Sequence, residues 1–491
     1  MKRIGIAGAF ALALWSSAAH AEWQLVETPH IAIRGDIPLA DMQKLATNLE
    51  ALDALMAQVT GVTRKPARPV VIYVFATNSE AQALTGLPRL AGGVTRSSPA
   101  GPQIIAAAVD GPDSLRRALF HEYAHAFRAT QLPGPRPLWF EEGFATFFES
   151  AIPEFGAVMR YGPNAQRREE LRHIGYTSAA TILALDPASG DGPPAIQFYD
   201  TGWLIVHHMM SGGARHDELD KFIAVFAHGD LDGPLDPYFA GGTAGLDRDM
   251  LADANASSDA EHSVTVTPAG TMSTRPLTAV EIEMLRFTVG LSAMVGADTT
   301  QQQYGLVDHW LDTLAAMAQK YPGDAAIARE AANLGIKSGS VARALPLLDQ
   351  ALAVHANDPV LLGLRGTVVT MLADQGEVEK FDARIADAAR SIDRALKLDP
   401  LNFEALRARA RNLRAKDGAS AEVAACLERA LALNPLDSEL RADLAETYDR
   451  IGDKKHAITT LLPSMQSDPN SVVRRRARRS IAALRAGYVY Q

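Results

Sequence analysis

Cysteine is nearly absent from this 491-residue chain: Cys426 is the only one, so no intrachain disulfide can form. Stability must come from packed cores, and at this length a chain can build large ones. Long apolar runs are also missing. The longest, Ile4 to Trp15, falls well short of the roughly 20 residues that cross a bilayer. Positive charge is in deficit, with 48 Lys and Arg against 57 Asp and Glu, a formal charge of -9. That balance argues against nucleic acid as a partner.

The short apolar run has a context. Lys2 and Arg3 precede it, and Ala19-His20-Ala21 follows with a small-x-small pattern. These three parts make a signal peptide over residues 1–21, with cleavage after Ala21. Loss of Lys2 and Arg3 would take the formal charge from -9 to -11. No cysteine follows the apolar core, so lipid attachment there has no acceptor. The expected location is periplasmic or secreted.

From Glu22 to about Gly111, strand-like and helix-like stretches alternate. Trp23 to Arg34 reads as one or two strands, Leu39 to Val59 as a helix and Pro69 to Phe75 as a strand. Asn78 to Leu84 reads as a short helix and Gln103 to Val109 as another strand. This last strand is a candidate edge for an extended substrate, or an ordinary core strand. Asp113 or Ser114 can cap the next helix, which runs to about Ala129. A stretch with three prolines, Leu132 to Pro137, ends it, and a second helix follows from about Leu138 to Ser150. Residues 151–256 read as mostly helical, and 257–276 as a linker with a short strand near His262.

Thr278-Ala279-Val280-Glu281 is a capping box, and beyond it the chain repeats. Arg394 to Pro400 returns as Arg429 to Pro435, a period of 35, and Met317 and Ala351 stand 34 apart in the same register. One step is 44, which places an insertion near Asp374 to Glu379. A helix-turn-helix unit of 34 residues is the tetratricopeptide period. The last unit carries Arg474-Arg475-Arg476-Ala477-Arg478-Arg479, read as the solvated face of a terminal capping helix.

The chemistry centres on His121-Glu122-Tyr123-Ala124-His125. Two histidines four apart share one helix face, a spacing at which both can bind one metal ion, with the adjacent glutamate in reach of a water there. Catalytic zinc sites use three protein ligands and keep one position open. Trp139-Phe140-Glu141-Glu142-Gly143-Phe144-Ala145 offers the third as a carboxylate, and only one of Glu141 and Glu142 can face the metal. Sixteen residues separate His125 from Glu142, enough for a turn that packs the two helices side by side. Thr146, one turn past Glu142, could support a ligand or bond its own helix carbonyl. His173, His207, His208 and His216 read as surface or packing residues.

His121-Glu122-x-x-His125 followed by Trp139-x-x-Glu142-Gly143-Phe144-Ala145 resembles the gluzincin peptidases, and distantly the membrane alanyl aminopeptidases among them. The likeness covers about residues 110–210. It implies Zn2+ as cofactor, His121, His125 and Glu142 as its ligands, and Glu122 as general base. Tyr199-Asp200-Thr201-Gly202 looks like the family's Tyr-x-x-Gly element, which implies Tyr199 as the oxyanion donor. No Gly-x-Met-Glu-Asn strand precedes His121, so the amine-binding element of the aminopeptidases has no counterpart.

The expected fold is an α+β gluzincin-type metallopeptidase domain, a small sheet plus a helical zinc-binding subdomain, over residues 22–256. An all-α tetratricopeptide-repeat solenoid over 277–491 follows the linker. The expected function is an exported zinc-dependent metallohydrolase cutting peptide bonds, acting on a peptide or protein substrate, with the repeats binding substrate or a protein partner. The alternative is a periplasmic repeat protein for binding or assembly, on a catalytically weak or inactive gluzincin-like scaffold. No nucleic acid is expected as a partner, and no transmembrane segment in the mature chain.

Overall fold

A computed structural model describes residues 22–64, 68–85, 92–98, 101–108, 111–132, 134, 136–155, 157–162, 164–185, 193–211, 215–228, 234–255, 261–268, 270–291, 301–376, 380–468 and 470–487. The signal-peptide assignment, residues 1–21, lies outside the described residues. The molecule is mostly helical with a small sheet, and no described helix is long and apolar enough to cross a membrane.

The chain opens with β1 (Gln24–Glu27), β2 (Ile31–Gly35), α1 (Leu39–Thr60), β3 (Val70–Phe75), α2 (Asn78–Thr85), β4 (Gly93–Ser98) and β5 (Gly101–Ala107). Then come α3 (Pro112–Gln131), α4 (Leu138–Glu149), β6 (Ile152–Pro153), β7 (Val158–Tyr161), α5 (Ala165–Ile174) and α6 (Ala179–Leu183). The front part closes with α7 (Ala195–Ser211), α8 (His216–His228), α9 (Gly242–Ala254), β8 (His262–Thr265), β9 (Ser273–Pro276) and α10 (Ala279–Leu285).

One sheet runs β4-β5-β3-β2-β1-β9. Its centre, β2-β3-β5, is parallel, and the outer pairs are antiparallel. Strands buried on both faces read as unbroken apolar runs, and β3, Val-Val-Ile-Tyr-Val-Phe, is such a run. Alternation splits it: Ile72 and Val74 join the core under α1 and α3, while Tyr73 and Phe75 join Trp23, Leu25, Leu277 and Leu285 on the other side.

The topology chooses between the two readings of the Gln103 strand and adds pairings the sequence does not announce. Gln103 lies in β5, paired on both sides by β3 and β4, so it is no edge. The edge beside α3 is β4, whose residues Gly-Val-Thr-Arg-Ser-Ser are too polar to announce a strand. The stretch 257–276, read as a linker with a short strand near His262, holds that strand as β8 and a second one, β9. β8 pairs with β7, and β9 completes the six-stranded sheet against β1. Helix α3 starts at Pro112 after Gly111, with no side-chain cap, because proline at the first turn needs no N–H partner.

The capping box forms as read, with Thr278 and Glu281 each bonding the other's backbone N–H at the start of α10. Beyond it stand α11 (Gln301–Lys320), α12 (Ala325–Ser338), α13 (Leu345–Val354), α14 (Pro359–Gln375), α15 (Phe381–Leu398), α16 (Phe403–Asp417), α17 (Ala421–Leu433), α18 (Ser438–Arg450), α19 (Lys454–Ser467) and α20 (Ser471–Arg485). The first helices of successive pairs begin at residues 325, 359, 403, 438 and 471, steps of 34, 44, 35 and 33. The long step lengthens both α14 and α15, and its remaining residues 377–379 lie outside the described residues. Asp324, Asp358, Asn402, Asp437 and Asn470 each cap the first helix of a pair, so the recurring Asp or Asn before each start is a cap repeated by the period.

The array does not trail away from the sheet. First helices of the pairs face the Tyr73 side of the sheet across a cavity. Buried Asn434, after α17, donates to the Ser98 carbonyl at the end of β4 over 2.7 Å, and α19 touches α4.

Candidate metal centre

Helix α3 presents both motif histidines, and α4 packs beside it. The atoms His121 Nε2, His125 Nε2 and Glu142 Oε2 form a triangle with sides of 3.2, 3.5 and 3.6 Å. A tetrahedral zinc ion with bonds of about 2.0–2.1 Å needs ligand atoms about 3.3–3.4 Å apart. Glu142 Oε2 is also buried without a hydrogen-bond partner among the described residues. A buried carboxylate oxygen in that state calls for a cation. The donor set and its spacing fit zinc.

The electrostatics agree. Burial opposes charge on His121, but the Glu142, Glu149 and Glu122 carboxylates outweigh it and push its pKa up to about 10. Burial would raise the Glu142 carboxyl, but His125 and His121 hold it far below the usual range. The cluster therefore demands a positive charge between its carboxylates, as a proton or a metal ion. Glu141 is settled by its partner. It turns away and meets Arg128 Nε at 2.6 Å, which leaves Glu142 alone in the triangle.

Glu149, which the sequence reading missed, sits seven residues beyond Glu142, two turns along the same face. Its Oε2 lies 3.1 Å from His121 Nδ1. A carboxylate there fixes the tautomer that leaves the Nε2 lone pair for a metal. Three donors hold Glu149 Oε1 in turn: Arg117 Nη2 at 3.0 Å, Asn164 Nδ2 at 3.1 Å and Arg167 Nε at 3.2 Å. Asn164 also caps α5 with its Oδ1, so one side chain starts that helix and orients Glu149. Together these contacts keep the Glu149 carboxyl down at about 2, against the opposing effect of burial. Thr146 is fully buried and its hydroxyl makes neither of the bonds considered for it.

Glu122 belongs to the edge strand as much as to its helix. The Thr95 hydroxyl of β4 lies 2.7 Å from Glu122 Oε2 and 2.8 Å from its backbone oxygen. The strand comes so close that a Cβ on Gly93 would stand 2.9 Å from Glu122 Cγ, so any side chain there would press on Glu122.

Tyr199 is placed by a second close approach. It lies one turn inside α7 rather than at its start. A Cβ on Gly143 would fall 2.3 Å from the Gly202 carbonyl oxygen, so α4 and α7 cross backbone to backbone. Gly143 follows Glu142, and Gly202 is one turn from Tyr199, so the crossing brings the phenol over the ligand cluster. The Tyr199 and His121 rings are 6.3 Å apart. Burial, then Glu142 and Glu122, push the phenol far above its ordinary range, so it stays a donor.

Two other clusters are satisfied or set apart. His30, Glu50 and Asp53 converge, but Glu50 accepts from Thr28 and His30, and Asp53 accepts from Tyr123 and Arg64. The motif residue Tyr123 thus ties the back of α3 to α1. His207 is buried with neither ring nitrogen partnered, and His208 bonds Asp253. Exposed His173 and half-buried His216 lie beside carboxylates of their own helices.

No family model matches this chain, and no curated protein matches it. Among solved structures, a thermophilic TPR protein from Thermus thermophilus is similar over 36% of this chain and 93% of that one. The identity is 21% and the TM-score 0.32. A likeness that loose leaves the chemistry to the site's own geometry.

Proposed function

We propose that the chain is a zinc-dependent hydrolase of gluzincin type acting on peptide bonds. The ligand triangle of His121, His125 and Glu142 is the observation that carries this reading. Zinc held there supplies Lewis acidity at an open position. Glu122 takes the proton of the attacking water and passes it to the leaving amine, and Thr95 aims its carboxylate. Tyr199 remains a phenol at neutral pH and donates to the oxyanion. An extended peptide suits the outer edge of β4, which no described strand pairs and where backbone pairing needs no particular side chain. Export through a signal peptide belongs to the same proposal.

The test is zinc content and hydrolysis of an unstructured protein. Glu142→Gln is expected to lose stoichiometric zinc, and Glu122→Gln to keep it while losing turnover. A wild-type chain without metal, or a Glu122→Gln chain as active as wild type, sinks the reading.

A second reading, a binding or assembly protein, is favoured by the paired helices α11–α20. In that case the wild-type phenotype would survive Glu122→Gln and be lost when the array is removed.

A further inference from the structure

A cavity of about 250 Å3 separates the sheet from the first helices of the pairs. Arg34 and Arg68 reach it from the sheet side, Arg329, Glu330 and Lys337 from α12, and Glu404 from α16. Both signs of charge thus line one half-open space, Arg329 and Lys337 at its exposed rim and Glu404 buried within. None of these six side chains forms an ion pair or a side-chain hydrogen bond with another described residue. Glu404 is 6% exposed, and burial pushes its carboxyl up although Arg407, Arg68 and Arg329 pull the other way. Glu330 is raised for the same cause.

Charges that are merely solvated stand on open surface, where water costs them nothing to hold. Here Arg34, Arg68 and Glu330 are half-buried and Glu404 is buried, and a buried carboxylate without a donor is unfavourable. A simple anion would satisfy the arginines and leave Glu404 unmet. A simple cation would do the reverse. We infer that this cavity binds a small zwitterion, a free amino acid or a dipeptide, with its ammonium on Glu404 and Glu330 and its carboxylate on Arg68, Arg329 and their neighbours. The volume lies just below the range of drug-sized pockets, which suits a ligand of that size. The walls come from two parts of the chain, so an occupied cavity ties the repeat array to the sheet. The inference does not depend on the peptidase reading.

The experiment is calorimetric titration of the full-length Glu122→Gln chain, so that a dipeptide is not consumed. Alanine and alanyl-alanine are the probes, with N-acetylalanine amide, acetate and methylamine as controls. One equivalent of alanine or alanyl-alanine should bind and the doubly capped amide should not. Glu404→Gln and Arg68→Gln should each weaken binding by about ten- to a hundredfold with zinc content unchanged, which separates this site from the metal centre. The inference is overturned if neither zwitterion binds, if Glu404→Gln binds as well as its parent, or if acetate or methylamine binds as tightly as the zwitterions.

Discussion

Replacing Gly143 with alanine tests how Tyr199 is aimed. The new methyl would lie 2.3 Å from the Gly202 carbonyl oxygen, 2.6 Å from its carbonyl carbon and 2.8 Å from Val206 Cγ2. Ordinary contact begins near 3.4 Å, so α4 and α7 must part by about 1 Å. The two nearest of the three atoms are backbone and cannot swing aside as a side-chain end can. Overpacking of this kind costs about 1–3 kcal/mol. Zinc should stay, because its ligands come from α3 and α4, and it is the α4–α7 gap that opens. Turnover should fall further than stability alone explains, since a misplacement of about 1 Å can cost ~10²-fold in rate. Gly202→Ala widens the same gap from the other side, with its methyl 2.8 Å from the Trp139 carbonyl oxygen. The double variant should therefore lose less than the two single losses added. The assays are chemical denaturation, zinc content and hydrolysis, run on all three variants. A Gly143→Ala chain as stable and as active as its parent would refute the crossing as the device that places Tyr199.

Three further outcomes follow from the geometry. Glu149→Gln should keep the fold and weaken zinc affinity by about 10- to 100-fold, read by competition with a chelator. His207 has its pKa lowered to about 4 by burial, against an ordinary 6.5. The unfolded chain then binds the extra proton first as pH falls, so this stability is intact above pH 6.5 and is lost toward pH 4. The loss, about 3 kcal/mol, should appear in urea unfolding of wild type and be missing in His207→Phe. Asn434→Ala removes a buried bond to the Ser98 carbonyl, so it should cost about 1–3 kcal/mol and speed protease cutting between sheet and array.

The sequence made some of this legible and concealed the rest for physical reasons. Local periodicity marks β3, α1, α3 and the repeat helices because each buries one face or both. The candidate metal ligands show because two share a helix turn and the third stands beside a glycine. Glu149 was hidden among aromatics, though its spacing from Glu142 by two turns was a usable signal. Thr95 had none, since its contact with Glu122 depends on β4 being the edge strand, and strand order is a non-local fact. The same holds for β9, whose residues Ser-Thr-Arg-Pro carry no apolar pattern and gain their place only by pairing with β1. Docking of the array on the sheet could not be read either. It depends on which helix faces remain after the pairs have packed among themselves.

The late arrival of β9 bears on how this chain must be handled and assembled. Until residues 273–276 join, β1 is an open edge whose unpaired backbone groups can template pairing with another chain. A fragment ending at residue 256 therefore carries every residue of the candidate metal centre and still exposes that edge, whereas one ending after Pro276 closes it. Pairing of residue 24 with residue 276 also closes a very long loop, which slows folding. During synthesis the front sheet waits, incomplete, for a strand delivered just ahead of the repeats.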